Sequence, residues 1–205
     1  MAKKKTYTQD DVAHLEPDEI YNDCVFDKLD LRHVDLSFSE FSGCTFRDCS
    51  LIGAKLNGAI FQSCDLSNAN IAGCNFFSTE FTECRMLGLD FTKDVKILAT
   101  KFSKCNLNFS VWRGLDLSKM DFKGCSFLEA DLSQTNLKDT SLMNCNLTHV
   151  DFYGAKFDQT DLRGANLTGF NIKVHNAHGI IIIPAQFHYL AEELGIEIID
   201  AANPA

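Results

Sequence analysis

The chain is short of the residues that usually punctuate a globular fold. It has three prolines and one tryptophan in 205 residues, and no apolar run of the length, about 18 residues, that a membrane span needs. No GxSxG, P-loop or Gly-rich dinucleotide fingerprint appears, so the common nucleophile and phosphate-binding devices are missing. There is no CxxC pair or HExxH pattern, and the six histidines are scattered, which leaves no metal-ligand spacing. Acidic residues outnumber basic ones 28 to 19, whereas direct DNA or RNA binding wants a basic stripe. Lys3, Lys4 and Lys5 run into Thr6, Thr8, Gln9 and Asp10 with no apolar segment between, so no secretory signal is read there. Nine cysteines without such a signal fit a reducing compartment and a cytoplasmic location. These absences point away from an enzyme and predict no cofactor, no metal, no membrane contact and no direct nucleic-acid contact.

What is present is a repeat of five residues. Counting back from Phe91 by fives gives Met86, Phe81, Phe76, Ile71, Leu66, Phe61, Leu56, Leu51, Phe46, Phe41, Leu36, Leu31 and Phe26, all apolar. Counting on from Phe102 gives Leu107, Trp112, Leu117, Phe122, Phe127 and so on to Ile172, with the phase moved by one residue and Ile97 as the bridge. Neither a helix nor a strand repeats every five. Two residues before these apolar positions lies a second slot. It holds all nine cysteines, from Cys24 to Cys145, and elsewhere Ala54, Ala59, Ala69, Ala130, Ala155 and Ala165 or Thr79, Thr135, Thr140 and Thr160. The slot therefore takes small side chains, and a free cysteine behaves as one.

Cys24, Cys44, Cys64 and Cys84 are also twenty apart, and Cys105, Cys125 and Cys145 continue the row after the one-residue slip. Twenty residues make four pentapeptides, so each turn has four sides and like residues stack on like. Turns stacked at a strand spacing of ~4.8 Å would satisfy each other's backbone groups and enclose a narrow apolar interior. About eight such turns predict a rod of ~37 Å. Parallel inward cysteines then sit too far apart for comfortable disulfides, so buried thiols are expected.

The motif in "CDLSNANIAGCNF" and "ADLSQTNLKDTSL" resembles the pentapeptide repeat proteins over about residues 22–173. The resemblance implies an all-β fold, a right-handed quadrilateral β-helix. We divide the chain into an N-terminal cap (1–20), the repeat coil (21–174), capping strands with a terminal helix (175–200) and a tail (201–205). In "HGIIIIPAQFHYLAEELGIEIID", Pro184 suits a first helical turn and Gly195 a left-handed cap. Phe187, Leu190, Ala191 and Leu194 fall on one helical stripe. Ile180–Ile183 before the helix and Ile196, Ile198 and Ile199 after it read as short strands.

This tail, and "FSGCTFRDCSLIGAKLNGAIFQSCDL" near the start, resemble the Qnr-type members, bacterial factors that bind type II topoisomerases. That resemblance implies a homodimer through the terminal stripe, and DNA gyrase or topoisomerase IV as partner. It also implies a DNA-mimicking role, protecting the enzyme from quinolones or toxins or modulating it. Members that protect gyrase often carry two loops thrown out of the coil. Here Phe46 runs to Leu51 without insertion, and "TKDVKILATK" holds one extra residue. The competing reading is an interaction scaffold with an unrelated protein partner.

For a mimic of DNA, stacked acidic positions are the candidate surface. One row reads Asp30, Ser50, Asn70, Asp90, Val111, Asp131, Asp151, with Asp35 and Asp116 in a neighbouring row. Phe77, Leu87, Leu98 and Phe109 stand at positions that should face water and make a candidate exposed apolar patch.

Overall fold

The computed structural model describes residues 5–198. Ile199 of the expected last strand and the 201–205 tail lie outside them. The chain winds into a right-handed quadrilateral β-helix of about eight turns. On the first face lie β1 (Ile20–Asn22), β2 (Glu40–Ser42), β3 (Ile60–Gln62), β4 (Glu80–Thr82) and β5 (Lys101–Ser103), a parallel sheet in sequence order. Its register runs Tyr21 to Phe41 to Phe61 to Phe81 to Phe102. The other three faces stack through single parallel bridges, such as Asp30 to Ser50, Thr45 to Asp65 and Lys55 to Asn75. β6 (Thr160–Asp161) pairs with β7 (Ile180–Ile181), and α1 (Pro184–Glu193) closes the C-terminal end.

The five-residue period is the length of one side. Each side contributes an extended residue, the inward apolar residue that follows it, and a corner whose second residue turns left-handed, as at Lys28 (φ 63°), Asp48 (57°) and Asn68 (58°). Gly58 needs its lack of a side chain. Its φ is +70°, and a Cβ there would fall 2.5 Å from the ring of Phe38 on the preceding turn.

Burial follows the repeat. Phe26, Phe46, Phe76, Phe81, Phe91, Trp112, Phe122 and Phe127 are fully enclosed. Aromatics on one face stack directly, Phe41 on Phe61 at 4.7 Å and Phe61 on Phe81 at 4.9 Å between ring centroids. The small slot is also polar work. Thr79 Oγ1 donates to the Leu56 carbonyl at 2.6 Å and Thr160 Oγ1 to that of Leu137 at 2.7 Å, while Cys74 Sγ reaches the Leu51 carbonyl at 2.8 Å. At these positions the hydroxyl or thiol pins one turn to the turn before it, whereas Ser110 and Thr135 donate to Leu107 and Leu132 of their own turn. All nine cysteines are free and buried, and burial pushes the thiols of Cys49, Cys74 and Cys145 up to about 11, 12 and 12. These are structural thiols, held in the protonated form.

The slot has exceptions that bear on the wall. Leu89, Leu115, Met120 and Phe170 also occupy it, and at each of them the backbone bond to the preceding turn is missing: Asp90, Asp116, Asp121 and Asn171 donate to no backbone carbonyl. From the second turn on, where the slot holds Cys, Ala, Ser, Thr or Val, the rung is present; Lys96 still donates to Cys74 at 2.9 Å below Val95, and Asp151 to Ala130 at 3.0 Å below Val150. A γ-branched or longer side chain overfills a space shaped for two or three heavy atoms, and the backbone moves out instead.

The ends are capped differently. A 3₁₀ helix, Gln9–His14, covers the first turn. There the Tyr7 ring stacks on Phe26 at 4.4 Å, and the Gln9 side-chain amide both donates to and accepts from the Asp30 backbone at 2.9 Å. At the other end the expected helix forms with Pro184 in its first turn, and Gly195 follows it at φ 75°. Gln186 is buried, and its amide donates to the carbonyls of Leu162 and Ala165 at 2.7 and 2.8 Å. Ile180–Ile181 is the paired part of the expected first strand, and Ile196–Ile198 form no strand.

Candidate partner-binding surface

The terminal stripe is divided by the fold. Leu190 and Ala191 are each 1% exposed, packed on the last turns, whereas Phe187 is 54% and Leu194 41% exposed. The expectation that all four face a twofold mate is therefore corrected. Half the stripe holds the helix to its own coil, and Phe187 and Leu194, with Ile183 and Ile196, form the outward apolar face.

The apolar patch is divided as well. Phe77 and Leu98 follow inward residues of the fourth face (Leu36, Leu56, Phe76, Ile97), whereas Leu87 and Phe109 follow Met86 and Leu107 of the second. Four-sided winding places those two corners diagonally across the rod, so the four residues are not one patch. Leu87 is half-buried; Phe77, Leu98 and Phe109 are exposed. Phe38, 61% exposed on the same edge as Phe77 and Leu98, belongs with them. Its position, two residues after inward Leu36, marks it as outward in the sequence too.

The acidic row stacks as expected from Asp30 to Ser50 to Asn70, and from Asp90 through Val111 and Asp131 to Asp151. Asp35 bridges to Lys55 and Asp116 to Asn136 on the adjacent face, where lysines interleave. These carboxylates share a local duty. Oδ1 of Asp30, Asp35, Asp90, Asp116, Asp131 and Asp151 accepts the backbone N–H two residues on, at 2.8–3.2 Å. Asn70, Asn106, Asn136 and Asn146 do the same. The Asp/Asn preference before each inward residue is thus an Asx turn that holds the corner.

Most of the second oxygens are paired with cations. Asp30 meets Arg32 at 2.5 Å, Asp35 meets Lys55 at 3.1 Å, Asp90 meets Lys93 at 3.3 Å and Asp131 meets Arg113 at 2.6 Å. Among the described residues Asp116 and Asp151 have no such partner. The acidic surplus also lies off the walls: residues 24–173 carry 18 acidic and 16 basic side chains of the 28 and 19 in the chain. The surplus concentrates before Cys24 (Asp10, Asp11, Glu16, Asp18, Glu19, Asp23) and after the coil (Glu192, Glu193, Glu197, Asp200). A continuous bare acidic row is not what the walls present, and the charge count of the repeat segment alone could have shown it.

Titration follows the same contacts. At Asp35 the Ser37 hydroxyl, then its amide and Lys55, hold the carboxyl below its ordinary value. At Asp131 burial pulls the carboxyl upward, but the Ser133 hydroxyl and amide and Arg113 outweigh it. Carboxyls depressed in the fold contribute stability that is complete above the ordinary carboxylate range and is lost as the pH falls below it. Because Asn supplies the same acceptor, Asp131→Asn is expected to leave stability at neutral pH within a few tenths of a kcal/mol, and Asp131→Ala to cost about 1 kcal/mol. Urea melts of both variants at pH 7 check this; equal losses would mean that charge, not the turn acceptor, is what the position supplies.

Comparison with known proteins agrees with this geometry. Residues 18–91 match the pentapeptide repeat region family, and residues 100–139 and 129–169 match the pentapeptide repeats family of eight copies. Full-length QnrB1, a plasmid-mediated fluoroquinolone resistance protein, superposes with a TM-score of 0.78 at 24% identity, over 94% of this chain and 95% of that one. A trypsin-treated variant of QnrB1 superposes with a TM-score of 0.67 at 28% identity, over 89% and 91%. No curated protein sequence matches this one.

Proposed function

Because the chain belongs to the pentapeptide-repeat family, we propose that it is a non-catalytic, cytoplasmic protein that binds DNA gyrase or topoisomerase IV and modulates it or shields it from quinolones or toxins. The observation that carries this reading is likeness to QnrB1 along nearly the whole of both chains. In this reading the rod, at about eight turns of ~4.8 Å, has the narrow outline of a short duplex. The carboxylates free to meet cationic groups of an enzyme's DNA groove are those without an internal cation. Of the six candidate wall positions these are Asp116 and Asp151, joined by Asp121 and by the acidic residues at the N-terminal end. Two copies joined through Phe187 and Leu194 would double the rod's length.

Supercoiling by purified gyrase, with and without a quinolone, tests the function. Protection or inhibition at stoichiometric protein supports it; no effect and no binding in either condition removes it. Binding that weakens as salt rises, and that falls in an Asp116→Asn, Asp151→Asn double variant, marks the contact as electrostatic. Phe187→Asp with Leu194→Asp is expected to give a monomer with an intact coil by sedimentation. A dimer surviving that change would place the interface elsewhere. A scaffold with an unrelated partner is the second reading, and the near-balanced charge of the coil walls is what favours it.

A further inference from the structure

The rungs lost at Leu115 and Met120 lie on adjacent faces, so their effects join. Between residues 96–103 and 116–121 the two turns have no backbone bond: the amides of Ile97, Ala99, Phe102, Asp116 and Asp121 donate to no carbonyl. Below this stretch the ladder resumes, with Asn136 donating to Leu115 at 3.0 Å and Ser141 to Met120 at 2.9 Å. On the opposite faces the same two turns stay joined, as Asn106 is to Ser126. The interior is closed beneath the gap, because Phe102 and Phe122 remain stacked at 5.5 Å. What results is a groove of about 870 Å³ around the corner of the rod, with Ile97, Leu98, Phe102 and Met120 as its apolar lining.

The groove combines three properties. Its lips carry backbone donors and acceptors with nothing opposite them, in short extended stretches on either side of a corner where Ala99 (φ 59°) and Lys119 (φ 63°) turn left-handed, which a peptide backbone can pair with and a compact apolar molecule cannot. Its floor takes an apolar side chain: Leu98 is 74% exposed, and Ile97 and Met120 are half-buried. Its lower lip bears Asp116 and Asp121. Among the described residues neither has a cation partner; of the nearby lysines, Lys119 and Lys96 lie within 4 Å of no carboxylate and Lys101 on the upper lip is held by Glu80 at 2.6 Å. We infer that this groove is a docking site for an extended segment of a partner protein, which pairs its backbone with the free lip, seats one apolar side chain against Ile97, Leu98 and Met120, and places a Lys or Arg beside Asp116 and Asp121. This is separate from the proposed topoisomerase contact and does not require it.

The test needs no topoisomerase. Hydrogen exchange on the full chain should first show the amides of Ile97, Ala99, Phe102, Asp116 and Asp121 exchanging much faster than those of Leu56, Gly58, Asn136 and Ser141, which are bonded. Equal protection would mean that the ladder is continuous and the groove absent. The probes are acetylated, amidated heptapeptides of alternating Val and Thr with Lys at one end, and the same peptides N-methylated on alternate amides. The unmodified peptides should slow exchange at the five amides, and N-methylation should weaken binding about tenfold or more. The double variant Leu115→Ala, Met120→Thr restores small slot residues and should both protect those amides and abolish binding. Leu98→Lys should weaken binding with the coil unaltered. No protection by any unmodified peptide at millimolar concentration, or equal binding of the N-methylated set, overturns the inference.

Discussion

Replacing Phe81 by Ala is expected to cost about 3–5 kcal/mol in a denaturant titration, the range for emptying a fully buried aromatic site. Phe81 is 1% exposed and lies between Phe61 at 4.9 Å and Phe102 at 5.4 Å, with Phe76 edge-on at 5.3 Å. In a solenoid the neighbours above and below are fixed by their own ladders, so the void cannot close by a rearrangement of the whole core. The loss should therefore sit near the top of that range. Thr82→Ala, one residue on and outward-facing, serves as the control and should change stability by no more than a few tenths of a kcal/mol. Similar losses for both would mean the inward register has been misassigned.

The second large effect comes from adding atoms. Ala59 sits in the small slot, fully buried, with Ile60 donating to the Ser39 carbonyl at 3.0 Å beside it. Ala59→Leu recreates there what Leu89, Leu115 and Met120 do elsewhere. It should cost about 1–3 kcal/mol through overpacking. The sharper reading is local: the Ile60 amide should lose its protection from exchange while the amides of Thr45 and Asp65 on the next face keep theirs. The converse, Leu115→Ala, should restore protection at Asp116. If Ala59→Leu leaves the Ile60 rung intact, slot size is not what breaks the ladder, and the groove at residues 96–121 needs another cause.

Much of this was open to a reader of the sequence. A period of five fixes one residue in five as inward, and the twenty-residue recurrence of the cysteines fixes four sides, since no other winding stacks Cys24 on Cys44 and Phe41 on Phe61. The small slot could be read in the same way, but its meaning lay in the exceptions. Leu115 and Met120 were visible as large residues in a small position, and only the wall around them shows that they open a groove. The Asp and Asn before each inward residue looked like surface charge available to a partner. Their carboxylates turn back to the corner amides because an extended residue before a tight turn brings Oδ1 within reach of that N–H.

What the sequence by itself determined is whatever repeats: the four-sided coil, its register, the buried thiols and the absence of extruded loops. Every turn imposes the same demand on its neighbours, so the pattern is overdetermined and survives any single irregular residue. The tertiary structure alone decided the matters that depend on one place in space. It assigned Leu190 and Ala191 to the coil and left Phe187 and Leu194 outside, because a helix has two sides and the stripe does not say which one meets the last turn. It set Phe77 and Leu87 on opposite corners, and it matched Asp30, Asp90 and Asp131 with cations from their own and neighbouring turns. Long side chains such as Arg113 choose partners by distance and angle across turns, and a one-dimensional period carries no information about that choice.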